Sequence, residues 1–311
     1  MKKFTNFPTE QGRYADLRSD FMMKKVFSHK ELLLSFINAV IPDKNFVDLT
    51  FNNTQQLSDQ KEFGSSVYDV YCTTSSNEEI VVEIQQIKQN NFPDRVVYYS
   101  TYLMQKQRKL FNKKNRFRLH KKKWSYDLHP IIIISIVDFR IFSSFDNGFL
   151  YSFHIREDSS GHLMSDKLRF IYLELPAFLK DEDTVNGDLE TWTFLFNNMN
   201  KLKYPPSKMT REPYDELFNL SEIANFAENE YDMYLRRQKE RDDDYSRYVT
   251  AYSDGEKKGS EIGFEKGSEI GFEKGTTANK LETARRMKED GVFTDLIVKY
   301  TGLDKETVEG L

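Results

Sequence analysis

Residues 129–137 read HPIIIISIV, and this run is the strongest single indication of the fold. A short, continuous apolar run of this kind is typical of a strand that is covered on both faces, as in a parallel or mixed sheet. The run is far too short to cross a membrane. The sequence therefore predicts a buried strand inside a sheet, and the segments around it show what covers that sheet.

Further strands and helices are predicted on both sides of this run. The strand candidates are residues 46–51, 66–72 (SVYDVYC), 79–84 (EIVVEI), 149–155 and 168–175. Helical spacing of apolar residues appears over 19–40, from about 92 to 110, and over 188–200. The segment SSNEE favours a hairpin between the second and third strand candidates. The order of these elements indicates an α/β or α+β protein.

The composition indicates a globular chain without a disulfide framework. Of 311 residues, 39% are hydrophobic and 30% are charged, and the net charge is only −4. Because the overall charge is nearly balanced, only local charge can point to nucleic acid. Cys72 is the single cysteine, which excludes an internal disulfide or a cysteine-based zinc site. The basic N-terminal residues are not followed by an apolar stretch, so we expect a cytoplasmic protein without a membrane segment.

The C-terminal third has a different character. From about residue 210 the chain is charged and helical, and residues 255–275 contain the octapeptide GSEIGFEK twice, with glycine at every fourth position. On a helix this spacing forms a slowly winding groove that permits self-association, but each glycine weakens the helix by about 1 kcal/mol, so a flexible linker is equally compatible. Residues 277–311 are predicted to form two short helices, a rhythm shared by helix-turn-helix units and ordinary helical hairpins.

Three polar residues in the predicted hairpin can carry chemistry. Asp69 lies in SVYDVYC, and Glu83 and Gln85 lie in VVEIQQ. A charge in a strand core is costly unless it is paired or ligates a metal. Glu83 and Gln85 share one face of their strand, and a hairpin can bring Asp69 beside Glu83. Two carboxylates and a nearby polar group suit Mg²⁺, although this spacing also occurs by chance and either acid can face solvent.

Six segments in order resemble one known family. They are DFMMKKVFSHKELLLSFINAV, YDVYC, IVVEIQQ, FPDRVVYYSTYLMQKQ, YDLHPIIIISIVDF and FIYLELPAF. Over roughly residues 15–200 the chain resembles the recombination-promoting nuclease and transposase family (Rpn-like), within the PD-(D/E)XK nuclease superfamily. The glycine repeat is also similar to tails that such proteins carry.

This resemblance implies a fold, a cofactor and roles for the three residues. The fold is an α/β, restriction-endonuclease-like mixed central sheet flanked by helices and followed by a helical C-terminal tail. The activity is Mg²⁺-dependent DNA cleavage, with Mn²⁺ as a substitute, in which Asp69 and Glu83 bind the metal. Gln85 stands where the superfamily has lysine, and a glutamine can hold a water molecule but cannot act as a base. The resulting prediction is a nuclease-like domain over 1–210, a charged helical segment over 211–254, a glycine-rich repeat over 255–275 and a helical hairpin over 276–311.

Other residues have two interpretations each. Ser19 or Asp20 can cap the start of the first helix, and Asp20 is either that cap, which its position favours, or an acidic neighbour of the metal site. Lys61 either replaces the missing cation in space or is a solvated surface lysine. Arg95 can contact a phosphate or pair with Glu83, and the tyrosines beside it, Tyr98 and Tyr99, can be simple packing residues.

A basic segment follows the helix that contains Arg95. Residues 106–123 (KQRKLFNKKNRFRLHKKK) hold ten lysines or arginines and no acidic residue. Such a segment suits the phosphate backbone of DNA, although a solvated basic loop has the same composition. The DNA-contact candidates are Arg95, Lys106, Arg108, Lys109, Lys113, Lys114, Arg116, Arg118, Lys121, Lys122 and Lys123.

The sequence leaves three functional hypotheses. The first is a metal-dependent DNA endonuclease with Asp69, Glu83 and Gln85 as catalytic residues, linked to recombination or mobile elements and able to form homo-oligomers through its C-terminal tail. The second is a DNA-binding or oligomeric adaptor that keeps the nuclease fold with weak or no catalysis. The third is a protein-interaction module without affinity for DNA. Serine hydrolases, P-loop NTPases and dinucleotide-binding enzymes lack support because their motifs are absent.

Overall fold

The structure is a computed structural model that describes residues 12–52, 68–115, 123–143, 145 and 148–311, without the side chain of Lys114. The helices are α1 (Asp20–Phe27), α2 (Lys30–Val40), α3 (Phe92–Asn115), α4 (Gly187–Asn198), α5 (Tyr214–Ser221), α6 (Glu228–Glu289), α7 (Thr294–Thr301) and α8 (Lys305–Gly310). The strands are β1 (Leu49–Phe51), β2 (Val70–Thr74), β3 (Glu79–Gln85), β4 (Ile131–Val137), β5 (Leu150–Arg156) and β6 (Leu163–Glu174).

The six strands form one mixed sheet in the order β1-β2-β3-β4-β6-β5. The β2–β3 pair is the predicted antiparallel hairpin, whereas β3, β4 and β6 are parallel neighbours. The parallel step from β3 to β4 is connected through α3, as parallel strands require a long crossover. The predicted mixed sheet with flanking helices and a helical C-terminal region is confirmed, and it is consistent with a restriction-endonuclease-like fold.

The isoleucine run is buried because helices cover both faces of β4. Ile132, Ile134 and Ile136 join the apolar cluster that also contains residues of α1, α2 and α4. Ile131 and Ile133 join the cluster beneath α3. Since side chains alternate between the faces of a strand, Glu83 and Gln85 of β3 lie on the α3 side, in phase with the buried Val81.

Several element boundaries differ from the predicted ones. The strand expected over 46–51 shortens to β1, and α3 continues beyond residue 110 to Asn115. The strand expected from 168 begins at Leu163, because β5 pairs with it as far as Arg156 and Leu163. Sequence periodicity missed this extension, since residues 163–168 (LMSDKL) are exposed or half-exposed and their apolar residues do not alternate with polar ones.

The chain divides into two compact units after Arg241. The first unit extends past the predicted boundary at residue 210, because Tyr214, Phe218 and Tyr234 are buried in the same cluster as α1 and α2. In the second unit, Ala284, Ile297 and Val308 form a small core among the end of α6, α7 and α8.

The glycine repeat lies within the continuous helix α6. Gly302 adopts a left-handed conformation at the end of α7, where glycine avoids the steric cost that other residues incur. Of the helices that the structure describes, none combines the length and apolar character that spanning a bilayer requires.

Candidate active site at the carboxyl end of β3

Asp69 lies at the point where the β2–β3 ladder stops. Val70 pairs with Val82, and Asp69 precedes this pair in a bend. The backbone N–H of Ile84 donates to Asp69 Oδ2 at 2.9 Å. The β2 strand does not extend far enough to accept from this N–H, and a backbone donor away from water needs an acceptor. The Asp69 carboxylate supplies that acceptor. The local backbone thereby fixes one oxygen of Asp69.

Helix α1 brings Asp20 to this carboxylate. Ser19 is the helix cap, because its hydroxyl accepts from the backbone N–H of Met22 at 3.2 Å. The interpretation of Asp20 as the cap is therefore wrong, and its side chain is hydrogen-bonded to Asp69 instead. Lys24, one turn further along α1, lies 2.6 Å from Asp20 Oδ1 and 3.7 Å from Asp69 Oδ1.

The two carboxyl groups do not titrate alike. Burial and the hydrogen bond with Asp20 raise the pKa of Asp69 to about 7. Burial acts in the same direction on Asp20, but the hydrogen bond from Asp69 and the ammonium group of Lys24 outweigh it, so the pKa of Asp20 is lowered. As pH rises, Asp20 therefore loses its proton before Asp69 does.

Glu83, on the α3 side of the sheet, has hydrogen-bond and charge partners of its own. It is buried, and Ser135 of the neighbouring strand β4 donates its hydroxyl to Glu83 Oε1 at 3.0 Å. Burial raises the pKa of Glu83, while the positive charge of Arg95 acts in the opposite direction. The carboxylate is thus oriented by one hydroxyl group and has a cation nearby.

Gln85 is held at both ends of its amide group. Its Nε2 donates to the carbonyl oxygen of Ile87 at 3.1 Å, and its Oε1 accepts from Arg95 at 2.9 Å. Arg95 also donates to Gln89 Oε1 at 2.7 Å. Gln85 is therefore part of a network that positions a guanidinium group.

The predicted site residues fall into two groups. Asp69 meets Asp20 and Lys24, whereas Glu83 and Gln85 meet Arg95. In the part of the chain that the structure describes, no three His, Cys, Asp or Glu side chains are arranged to hold a metal ion. The ion pair between Arg95 and Glu83 is not formed within 4 Å among these residues.

Lys24, Ser135 and Arg237 are additions to the predicted site. Lys24 was detectable from its i,i+4 spacing to Asp20, and Ser135 as the one polar residue in the isoleucine run. Arg237 of α6 lies with its Nε 3.7 Å from Asp20 Oδ2. Its contribution depends on tertiary packing and has no signal in the sequence.

The basic segment is only partly described. Arg108, Lys109, Lys113 and Lys123 are exposed, the first three of them on α3. Lys106 is half-buried, with its ammonium group 4.4 Å from the centre of the Tyr71 ring, and burial lowers its pKa. Lys61, Arg116, Arg118, Lys121, Lys122 and the side chain of Lys114 lie outside the described residues.

The tyrosines that follow Arg95 differ in their surroundings. Tyr99 packs edge-to-face on Tyr68 at 5.9 Å, and its carbonyl oxygen accepts from the Tyr68 hydroxyl. Tyr98 is half-exposed. Packing therefore explains Tyr99.

Comparison with known families shows which family the chain belongs to. The model of the PD-(D/E)XK nuclease family transposases matches residues 17–251, which is most of the chain. The chain belongs to this family. No curated protein and no solved structure matches it. The family membership confirms the resemblance seen in the sequence, and the matched region ends within α6 rather than at residue 210.

PD-(D/E)XK nucleases generally use divalent metals, and the carboxyl pair fits such an ion. Asp20 and Asp69 lie within hydrogen-bonding distance of one another, where two negative charges repel. The ammonium group of Lys24 offsets part of this repulsion, and the raised pKa of Asp69 reflects the rest. A divalent cation offers the same compensation, and carboxylate oxygens are the donors that Mg²⁺ and Mn²⁺ prefer.

Proposed function

We propose that this protein is a metal-dependent DNA endonuclease that uses Mg²⁺, with Mn²⁺ as a substitute, in recombination or the movement of mobile elements. The observation that carries the proposal is the half-buried Asp69 carboxyl, whose pKa is raised and which is joined to Asp20 at the end of the β2–β3 hairpin in a PD-(D/E)XK family member. A partly desolvated carboxyl pair with a raised pKa is expected where the pair has a chemical task.

Within this proposal, Asp69 and Glu83 hold the cation and Asp20 supports it. The N–H of Ile84 and the hydroxyl of Ser135 orient the two carboxylates, so little reorganisation is needed when the ion binds. A bound divalent cation would stabilise the negative charge on the phosphate under attack and assist water as the nucleophile. The protein contributes the orientation of its carboxylates and the surrounding positive charges.

Exposed cations on α3 support DNA as the substrate. Arg108, Lys109 and Lys113 are exposed on the helix that begins beside the candidate site. Lysine and arginine side chains supply most of the nonspecific affinity for DNA by releasing condensed counterions. We infer that this helix guides the phosphate backbone toward Asp69 and Glu83.

The direct test is cleavage of supercoiled plasmid by the purified chain. We expect nicked or linear DNA with Mg²⁺ or Mn²⁺, and none when EDTA removes the metal. Absence of cleavage with both ions, with DNA binding retained, would contradict the proposal and favour the adaptor. The replacement of lysine by Gln85 is the observation that favours this second function. Absence of DNA binding at low salt would favour the protein-interaction module.

Divalent cations are expected to raise the Tm of the chain, and the increase should grow as pH rises from about 5 to about 8. The pKa of Asp69 is raised to about 7 in the folded state. As pH rises from the ordinary aspartate range to about 7, the folded state therefore loses stability relative to the unfolded state, in which the carboxyl ionises more easily. A cation that binds the ionised pair offsets this cost. Its effect is therefore small where Asp69 is protonated and largest where Asp69 is ionised. Differential scanning fluorimetry with Mn²⁺ over this pH range measures the effect.

Asp69→Asn is the matched control for this measurement, because the amide keeps the size of the side chain and does not titrate. The cation-induced shift of the variant should be small at every pH. An equal shift in wild-type protein at both ends of the pH range would show that the ion binds elsewhere.

Self-association through the C-terminal tail and a cytoplasmic location remain proposals. The repeat leaves Ile262, Phe264, Ile270 and Phe272 exposed on α6 at eight-residue spacing. Exposed apolar side chains in such an array favour association between copies. A monomeric mass for the full chain in analytical ultracentrifugation would contradict this proposal.

A further inference from the structure

We propose that Arg95, on α3, supplies the positive charge of the lysine that the family's name places two residues after its acidic residue. Gln85 is then a positioning residue that orients Arg95. The proposal rests on the nuclease function and assigns Gln85 a different task from holding water. It also gives the E-x-Q sequence a physical reason. The cation has moved from the strand to the adjacent helix, and the strand retains the residue that orients it.

The hydrogen bonds of Gln85 carry the first step. The amide oxygen accepts from Arg95 at 2.9 Å, and the amide nitrogen donates to the Ile87 carbonyl at 3.1 Å. The Ile87 contact fixes which end of the amide points to Arg95, because only the oxygen can accept from a guanidinium group. Gln85 therefore acts as an oriented acceptor.

The charge of Arg95 is not neutralised by a direct ion pair. Its two hydrogen-bond acceptors, Gln85 and Gln89, are both neutral amides. Among the described residues no carboxylate lies within 4 Å of its guanidinium group, although its charge acts on Glu83 from nearby. Lys24 and Arg237, the other cations described at the site, are paired with Asp20 at 2.6 Å and 3.7 Å. Arg95 is thus the cation that retains charge for an anionic substrate.

The guanidinium group is also held rigidly. It lies 4.8 Å from the centre of the Phe92 ring and 5.8 Å from that of Tyr99. Its Nε is buried without a hydrogen-bond partner among the described residues. A guanidinium group has five N–H donors, of which the two amides occupy two. Apart from the buried Nε, one N–H on each terminal nitrogen remains for the oxygens of a phosphate, which arginine binds well.

The resulting role is electrostatic. Arginine keeps its proton at all relevant pH values, so Arg95 cannot act as a general base. Placed beside Glu83, it would donate to a non-bridging oxygen of the phosphodiester and stabilise the charge that grows there during attack. A preorganised donor in a partly buried site costs little reorganisation, and the loss of one such donor lowers kcat by about 10²- to 10³-fold in other enzymes.

The test moves the charge between the two positions. Arg95→Gln should lower kcat for plasmid cleavage by about 100-fold with a much smaller change in KM, and Arg95→Lys should retain part of the activity. The double variant Gln85→Lys with Arg95→Gln returns the cation to the strand and should recover at least about tenfold over Arg95→Gln. Arg156→Gln, which removes an exposed arginine of β5, is the matched control.

Each outcome decides the proposal. Wild-type rates in Arg95→Gln would overturn it and leave the nuclease intact, whereas absence of cleavage by the wild-type chain would overturn the nuclease together with this inference. If Arg95→Gln fails to fold, Arg95→Lys decides, because it keeps the charge: partial activity in the folded variant supports the proposal. A folded double variant without recovery, together with inactive Arg95→Lys, would show that Arg95 has a structural role only.

Discussion

Asp69→Ala is expected to abolish plasmid cleavage, with a loss of about 10³-fold or more, while affinity for DNA is retained. Asp69 is the residue on which the two parts of the proposed cation site depend. Its Oδ2 is fixed by the N–H of Ile84, and its carboxyl is joined to Asp20. Removing it leaves Asp20 with Lys24 and Arg237 as partners, so the site loses a ligand for the cation.

The measurement compares initial cleavage rates with DNA affinity by fluorescence anisotropy. Asp69→Asn separates charge from structure, because its amide oxygen can still accept from Ile84 while it contributes no negative charge. We expect this variant to keep the wild-type Tm and to lose cleavage. Asp158→Ala, in the exposed turn after β5, is the control for removal of an acidic side chain. Cleavage by Asp69→Asn at the wild-type rate would remove Asp69 from the proposed site.

Trp192→Ala is expected to lower the free energy of unfolding of the first unit by about 3–5 kcal/mol. Trp192 is fully buried on α4, with its ring 5.8 Å from that of Phe27 and 5.6 Å from that of Phe36. Its indole N–H donates to the Ser35 hydroxyl at 3.1 Å. The substitution leaves a cavity between α4 and the two helices that precede the sheet, and it removes the indole donor from the Ser35 hydroxyl.

Urea denaturation followed by circular dichroism measures this loss. Leu179→Ala is the matched control, because Leu179 is 90% exposed and its truncation should change stability by less than about 0.5 kcal/mol. Since α1 packs in the same cluster and carries Asp20 and Lys24, we also expect weaker binding of divalent cations in Trp192→Ala. Equal unfolding free energies for the two variants would contradict the assigned core.

Local patterns were sufficient to predict most elements of the sheet. The isoleucine run predicted a strand buried on both faces, because only such a strand lacks polar alternation. The turn between Thr74 and Glu79 predicted the β2–β3 hairpin, and with it the neighbourhood of Asp69 and β3. These features depend on side-chain periodicity and turn chemistry over a few residues, which the sequence records directly.

Only the tertiary structure decided how the site residues pair. The sequence favoured Asp20 as a helix cap, but the packing of α1 turns it toward Asp69, and Ser19 caps the helix. The contact of Gln85 with Arg95 likewise has no signal in the sequence, because the packing of α3 brings the arginine to the amide oxygen. Such contacts join residues whose separation along the chain bears no relation to their distance in space.

The sequence by itself determined the family and the order of strands and helices along the chain. It also pointed to the three polar residues at the end of the hairpin. The tertiary structure decided that Asp69 shares a hydrogen bond with Asp20, that Glu83 lies beside Ser135, and that α5 and the start of α6 belong to the first unit. The physical reason is the range of the interactions. Strand and turn propensities act between neighbours in sequence, whereas burial, ion pairing and pKa shifts depend on which surfaces of distant helices meet the sheet.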